Sequence, residues 1–246
     1  MTGASPQEPL ILAQPERPFW GFGEVFLIAA LFIPAVFLGA VITRILAGSL
    51  HFDPERGLPQ LATEFIGYMV VFAVLKLLFE RHGQPLLSSL GWVSQPFHPL
   101  HLIYLGVTLA IVVMILGAIV RLPNVPTPFE KLLTDAPSRI AIAIFGVTLG
   151  PVIEELLFRG FLQPVLTSII GVFPGILVTA VVFGAAHLQQ NANIWQSGLL
   201  ITLVGIVLGV VRHVSGSTRA SAITHMSYNA MPFLALLAAG GGTPSK

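Results

Sequence analysis

The chain of 246 residues contains no cysteine, and only 9% of it is charged. Without a thiol there are no disulfides, no thiolate nucleophile, no Cys-ligated zinc and no iron-sulfur cluster, and cysteine usage gives no sign of redox compartment. An ordinary soluble domain carries about 25% charged residues, so a soluble globular protein is excluded. The 12 Lys and Arg residues almost balance the 11 Asp and Glu, for a net charge of +1. That leaves no basic surface to displace counterions from a nucleic-acid backbone, so nucleic acid is excluded as a partner. Aspartate is scarce too: Asp53 and Asp135 both fall in loop-like segments, which rules out a pair of intramembrane aspartates. A serine route lacks its context, because Ser215 and Ser217 precede the last apolar run and no G-x-S-x-G is present. Chemistry is left to Glu, His, Asn and Ser, or to a metal on nitrogen and oxygen ligands.

Apolar residues fill the space, at 54% of the chain. Stretches of roughly 20 apolar residues mark membrane spans, and about seven are predicted, at 23–47, 61–79, 100–120, 140–162, 172–188, 194–211 and 220–239. A bilayer obliges the backbone to satisfy its own hydrogen bonds, and no ten-residue alternating pattern suggests a barrel. The expected fold is therefore all-α, a polytopic transmembrane helical bundle. Residues 1–18 read as a disordered, Pro-rich N-terminal tail rather than a signal peptide, since acidic and proline residues precede an apolar run that is too long. Residues 19–139 read as N-terminal transmembrane helices, 140–239 as the core that carries the chemistry, and 240–246 as a C-terminal tail. The expected setting is an integral, multi-pass protein in contact with membrane lipid. A short, Cys-free chain suits a bacterial cytoplasmic membrane. Basic residues divide almost evenly between the two sides, Arg17, Lys76, Arg81, Arg212 and Arg219 against Arg44, Arg56, Arg121, Lys131, Arg139 and Lys246, so the positive-inside rule assigns no orientation. Trp20, Trp92 and Trp195 fall at span boundaries, where aromatic belts form.

In so uncharged a chain, ionisable groups inside spans are the informative ones, because each is costly unless it faces a partner or a cavity. Glu154, Glu155 and Arg159 share the fourth span. Glu155 and Arg159 are helical i,i+4 neighbours in the favourable acid-first order, so they neutralise one another. Glu154 lies about 100° further round the helix and is the carboxylate left over for work. Pro151, three residues earlier, loosens the helix there. His187 ends the fifth span after a turn of small residues, and His225 and Asn229 sit one turn apart in the seventh. A lone imidazole at a span end is ordinarily an interfacial histidine, and a His/Asn pair also serves as interhelical glue. Counting about 1.5 Å per residue places Glu154 about 12 Å and His225 about 8 Å from one membrane face, but leaves His187 about 10 Å out of level with Glu154. Glu64 and Lys76 are expected near opposite ends of the second span, with Lys76 snorkelling.

A carboxylate, two imidazoles and an amide are the parts for activating water against a carbonyl. The cofactor question has two answers at this point: none, or a divalent metal such as zinc on Glu154, His187 and His225, without the H-E-x-x-H motif. A non-catalytic scaffold or immunity protein and an ion-coupled transporter use similar parts, although transporters usually show repeated halves and no repeat is present here.

Three strings carry a family resemblance: E-E-L-L-F-R-G at 154–160, F-G-A-A-H at 183–187 and H-M-S-Y-N at 225–229. In order, and each within a predicted span, they resemble the E-E-x-x-x-R, F-x-x-x-H and H-x-x-x-N motifs of the CAAX-protease and bacteriocin-processing family, which includes type II CAAX prenyl endopeptidases and lysostaphin-resistance-like proteins. The resemblance covers about 140–233. It implies an intramembrane endopeptidase, glutamic or metallo, acting on a membrane-associated peptide or protein. On that resemblance Glu154 activates water with His187, His225 and Asn229 line an oxyanion site, and Glu155 and Arg159 brace it.

Overall fold

Backbone groups in hydrocarbon must pair within the chain, and this chain pairs them in helices alone, with no strand among the described residues. The computed structural model describes residues 17–51, 53–123, 125–133 and 135–238. The tail expected at 1–18, apart from Arg17 and Pro18, lies outside the described residues, as do residue 239 and the tail at 240–246. The order is α1 (Phe22–Ser49), α2 (Gly57–Arg81), a short α3 (Leu86–Ser89), α4 (Pro99–Ile119), a one-turn α5 (Pro128–Lys131), α6 (Ala136–Val147), α7 (Leu149–Glu155), a π-helical segment (Leu156–Leu162), α8 (Gln163–Ile170), α9 (Val172–Ala186), α10 (Trp195–Ser215) and α11 (Thr218–Ala238).

Five stretches are long and apolar enough to cross a membrane: α1, α2, α4, the continuous run Ala136–Ile170, and α10. The protein is thus an integral, multi-pass, all-α bundle, as the composition implied. The other two expected spans are also helices. The 15-residue α9 is only about 22 Å long, short of the roughly 30 Å hydrocarbon core. α11 is long enough but carries polar side chains, and it turns Ser221, Thr224 and His225 inward, where they are buried.

Glycines set the close helix contacts, as small residues do in membranes. Gly39 lies against the Thr63 carbonyl, Gly106 against that of Thr224, and Gly184 against Thr202 and the Gly198 carbonyl. These contacts join α1 to α2, α4 to α11 and α9 to α10. The segment after α2 is tied to the start of α11, where the Thr218 hydroxyl donates to the Leu90 carbonyl (2.6 Å) and the Thr218 N–H to that of Gly91 (2.8 Å). Trp20 is not an interfacial anchor: it is buried and stacked on Phe161, and its indole N–H donates to the Phe161 carbonyl at 3.0 Å. Val71, Leu75 and Phe79 complete that cluster from α2.

The run from Ala136 to Ile170 positions the chemistry. It is interrupted at Thr148 (φ −119°, ψ −84°). Pro151 explains the break, because it has no N–H for the Val147 carbonyl and its ring crowds that oxygen. The run then continues past 162, where the fourth span was expected to end, to a turn at Gly171 (φ +88°) that only glycine adopts readily. Arg159 and Gln163 do not end the span, because both are buried and donate to carbonyls of α10, at Gly205 and Gly209 (3.0 Å each).

Candidate active site

Glu154 and Glu155 occupy the last turn of α7, between the Thr148 break and the π-helical segment, a kind of irregularity frequent at functional sites. Glu155 and Arg159 pair as their spacing predicted, at 2.8 Å and with no exposed side-chain surface on either. The Arg159 guanidinium also lies 4.3 Å from the Phe183 ring centroid, a cation–π contact with α9. Arg159 therefore links α7, α9 and α10. Gln163, which the sequence reading passed over, adds a second rung to α10 one turn on. Its helical spacing from Glu155 and Arg159 was the available signal.

The sequence count put His187 about 10 Å out of level with Glu154, and the structure removes that gap. Once the helix runs on to Ile170, the turn at Gly171 stands 17 residues after Glu154 and 16 before His187, so the antiparallel arms bring the two together. His187 Nε2 lies 3.7 Å from Glu154 Oε2, and His225 Nε2 lies 3.8 Å from the same oxygen. Glu154 and His187 keep 22% and 19% of their side-chain surface exposed, which leaves both reachable.

Hydrogen bonds set the ring tautomers. His187 Nδ1 lies 2.8 Å from the Phe183 carbonyl; a carbonyl only accepts, so Nδ1 carries the proton. His225 Nδ1 lies 3.0 Å from Glu155 Oε1, an oxygen that also accepts from Arg159 and is therefore a carboxylate acceptor. In the neutral form, imidazoles held in this way turn unprotonated Nε2 atoms toward Glu154. Three lone-pair atoms then face one another across gaps too wide for direct hydrogen bonds, a spacing at which a bridging water is the ordinary expectation.

Among the described residues Asn229 makes no hydrogen bond to this group. Its amide N–H donates to the Gly146 carbonyl at 2.8 Å, pinning α11 to α6 just before the helix break, while its position one turn from His225 is as expected. Lys76 is exposed and pairs with Glu80 at 3.5 Å, in keeping with a snorkelling residue. Glu64 departs from expectation. α2 begins at Gly57 rather than 61, which puts Glu64 two turns inside the helix instead of at its end.

The donor types Glu, His and His are those that hydrolytic zinc uses. Among the described residues, however, no group of three or more His, Asp or Glu side chains is placed to hold a metal ion. The 3.7 and 3.8 Å gaps exceed the roughly 3.3 Å between neighbouring ligands of a tetrahedral zinc with bonds near 2.0 Å. As they stand, these side chains do not close on a metal.

Residues 136–231 match the family model described as type II CAAX prenyl endopeptidase Rce1-like. The matched segment contains Glu154, Glu155, Arg159, His187, His225 and Asn229, so this membrane core is similar to the CAAX-type intramembrane proteases. No curated protein and no solved structure matches the chain.

Proposed function

We propose, with that family as the premise, that this protein is an intramembrane endopeptidase of a bacterial cytoplasmic membrane, hydrolysing a peptide bond in a membrane-associated substrate through a water activated by Glu154. The observation that carries this reading is the convergence of Glu154 Oε2 with two Nε2 atoms whose protons are held elsewhere. Water suits such a place because it brings protons to acceptors that lack them. Glu154 takes one proton as the water oxygen bonds to the scissile carbonyl carbon. The C–N bond then breaks, and the same proton passes from Glu154 to the leaving nitrogen. His187 and His225 orient the water, and the Glu155–Arg159 pair fixes the His225 ring. Asn229, with one N–H held by Gly146, offers the other to the oxyanion.

The test is cleavage of a membrane-peptide library by the purified full-length protein in detergent, beside Glu154→Gln and with or without a chelator. Loss of about 10²- to 10⁴-fold in the variant, with wild-type cleavage kept in chelator, supports a glutamate-activated water. Loss in both arms supports a metalloenzyme instead. Absence of wild-type cleavage, with peptide binding that survives Glu154→Gln, points to the scaffold.

A further inference from the structure

α2 carries a carboxylate that this reaction does not use. At 100° per residue, Glu64 lies within about 20° of both Val71 and Leu75 on the helix, and those two side chains are fully buried in one cluster with Leu156 and Phe161. Glu64 is thus on the inward face of α2. It is nevertheless exposed, so at that height the described neighbours leave this face uncovered.

The register of α2 shows what this uncovered stretch faces. α2 runs beside the 136–170 stretch in the same direction: Gly57 abuts Ser138 and Ile142, the Phe65 ring meets Phe145 at 6.4 Å, and Val71 shares its cluster with Leu156 and with Val152 packed against it. Glu64 and Tyr68, one turn apart, therefore flank the stretch from the Thr148 break toward Glu154. Among the described residues Glu64 has no ion-pair partner, whereas Glu55, Glu80 and Glu155 each have one. With neutral imidazoles, the formal charge of Glu64, Glu154, Glu155 and Arg159 together is −2. An unpartnered carboxylate inside a membrane protein is costly and marks a site, and a cation brought by a ligand supplies the partner this chain does not.

We propose that Glu64 and the Tyr68 ring form a subsite that receives a cationic side chain, lysine or arginine, of the peptide presented to Glu154. The Glu64 carboxylate pairs with the cation, and the Tyr68 ring offers it a π face. The subsite rests on the protease reading above and sets specificity within it.

Peptides identical except for Lys or Leu at one position, scanned on both sides of the scissile bond, test this with the full-length protein. At one position wild type is expected to favour Lys over Leu by at least about tenfold in kcat/KM, and Glu64→Gln to bring that ratio near one. Glu64→Arg is expected to shift preference toward a Glu-bearing peptide. A wild type that cleaves both peptides equally at every position, or a ratio unchanged by Glu64→Gln, overturns the subsite. Binding of the same peptides to Glu154→Gln, followed by fluorescence anisotropy, decides the matter without turnover. Tighter binding of the Lys peptide that is lost in Glu154→Gln/Glu64→Gln supports the subsite, and equal binding refutes it. If wild type cleaves no peptide, the protease reading fails while the binding comparison still judges Glu64.

Discussion

Arg159→Met is the sharpest perturbation of the internal brace. Methionine is of similar length, but the change leaves the Glu155 carboxylate buried, with no exposed surface, and without the guanidinium that neutralises it, although the His225 Nδ1–H still faces it. It also removes the charged hydrogen bond to the Gly205 carbonyl. Removing one partner of a buried ion pair costs about 3–5 kcal/mol. For a chain of this size each kcal/mol moves the unfolding midpoint by roughly 2–4 °C, so a fall of roughly 6–20 °C is expected. Glu155→Gln added to Arg159→Met removes the stranded charge, while the Gln carbonyl still accepts from His225. The double variant should therefore recover about 2 kcal/mol, or roughly 4–8 °C, over the single one. Thermal unfolding in detergent, followed by intrinsic tryptophan fluorescence, reads both, because Trp20 is buried against Phe161, two residues from Arg159. A midpoint within about 2 °C of wild type for Arg159→Met, or a double variant no more stable than the single, would refute the assignment of Arg159 as the counter-charge of Glu155.

Two other perturbations act by geometry and by pH. A side chain at Gly184 meets Thr202 and the Gly198 carbonyl, whereas one at Gly23 meets nothing within 4 Å. Gly184→Val should push α9 off α10 and displace His187, lowering cleavage by about 100-fold with helicity by circular dichroism kept, while Gly23→Ala should leave it untouched; full activity in Gly184→Val would contradict this. Asp135 caps α6, where the Ser138 backbone N–H (2.9 Å) and then its hydroxyl (2.8 Å) donate to the carboxylate and hold it below the usual range. A depressed folded-state value means that the cap's contribution is complete above the ordinary carboxyl value and is lost as pH falls through the depressed one. The midpoint gap between wild type and Asp135→Ala should thus be widest near neutral pH and close as pH falls below the ordinary carboxyl range, and a gap that persists in strong acid would show that ionisation is not what stabilises the cap.

What could be read from the sequence was local. Glu155 and Arg159 are one helical turn apart, so their pairing follows from spacing, and Glu154 as the unpaired acid follows with it. All-α membrane architecture follows from composition. His187 falls too far from Glu154 in a linear count because hydropathy closes the span at 162, just before Gln163, and nothing in a linear scan reveals that carbonyls at Gly205 and Gly209 wait for Arg159 and Gln163 on a helix about 46 residues away. Glu64 was mislaid for a related reason: Gly57, Leu58, Pro59 and Gln60 do not look like the start of a membrane helix, and the close fit of Gly57 against α6 that makes them one is a tertiary contact.

The turn at Gly171 makes the two arms behave as a ruler whose zero lies far from where it is used. One residue inserted into α8 or α9 swings everything beyond it by about 100° and shifts it by about 1.5 Å, so Glu154 and His187 lose their alignment even though neither has been touched. Added chain at the turn itself alters neither count. Length variation and grafted tags should accordingly be tolerated at Gly171 and rejected along the arms, which makes this turn the natural place to attach a probe that reports on the site from outside it.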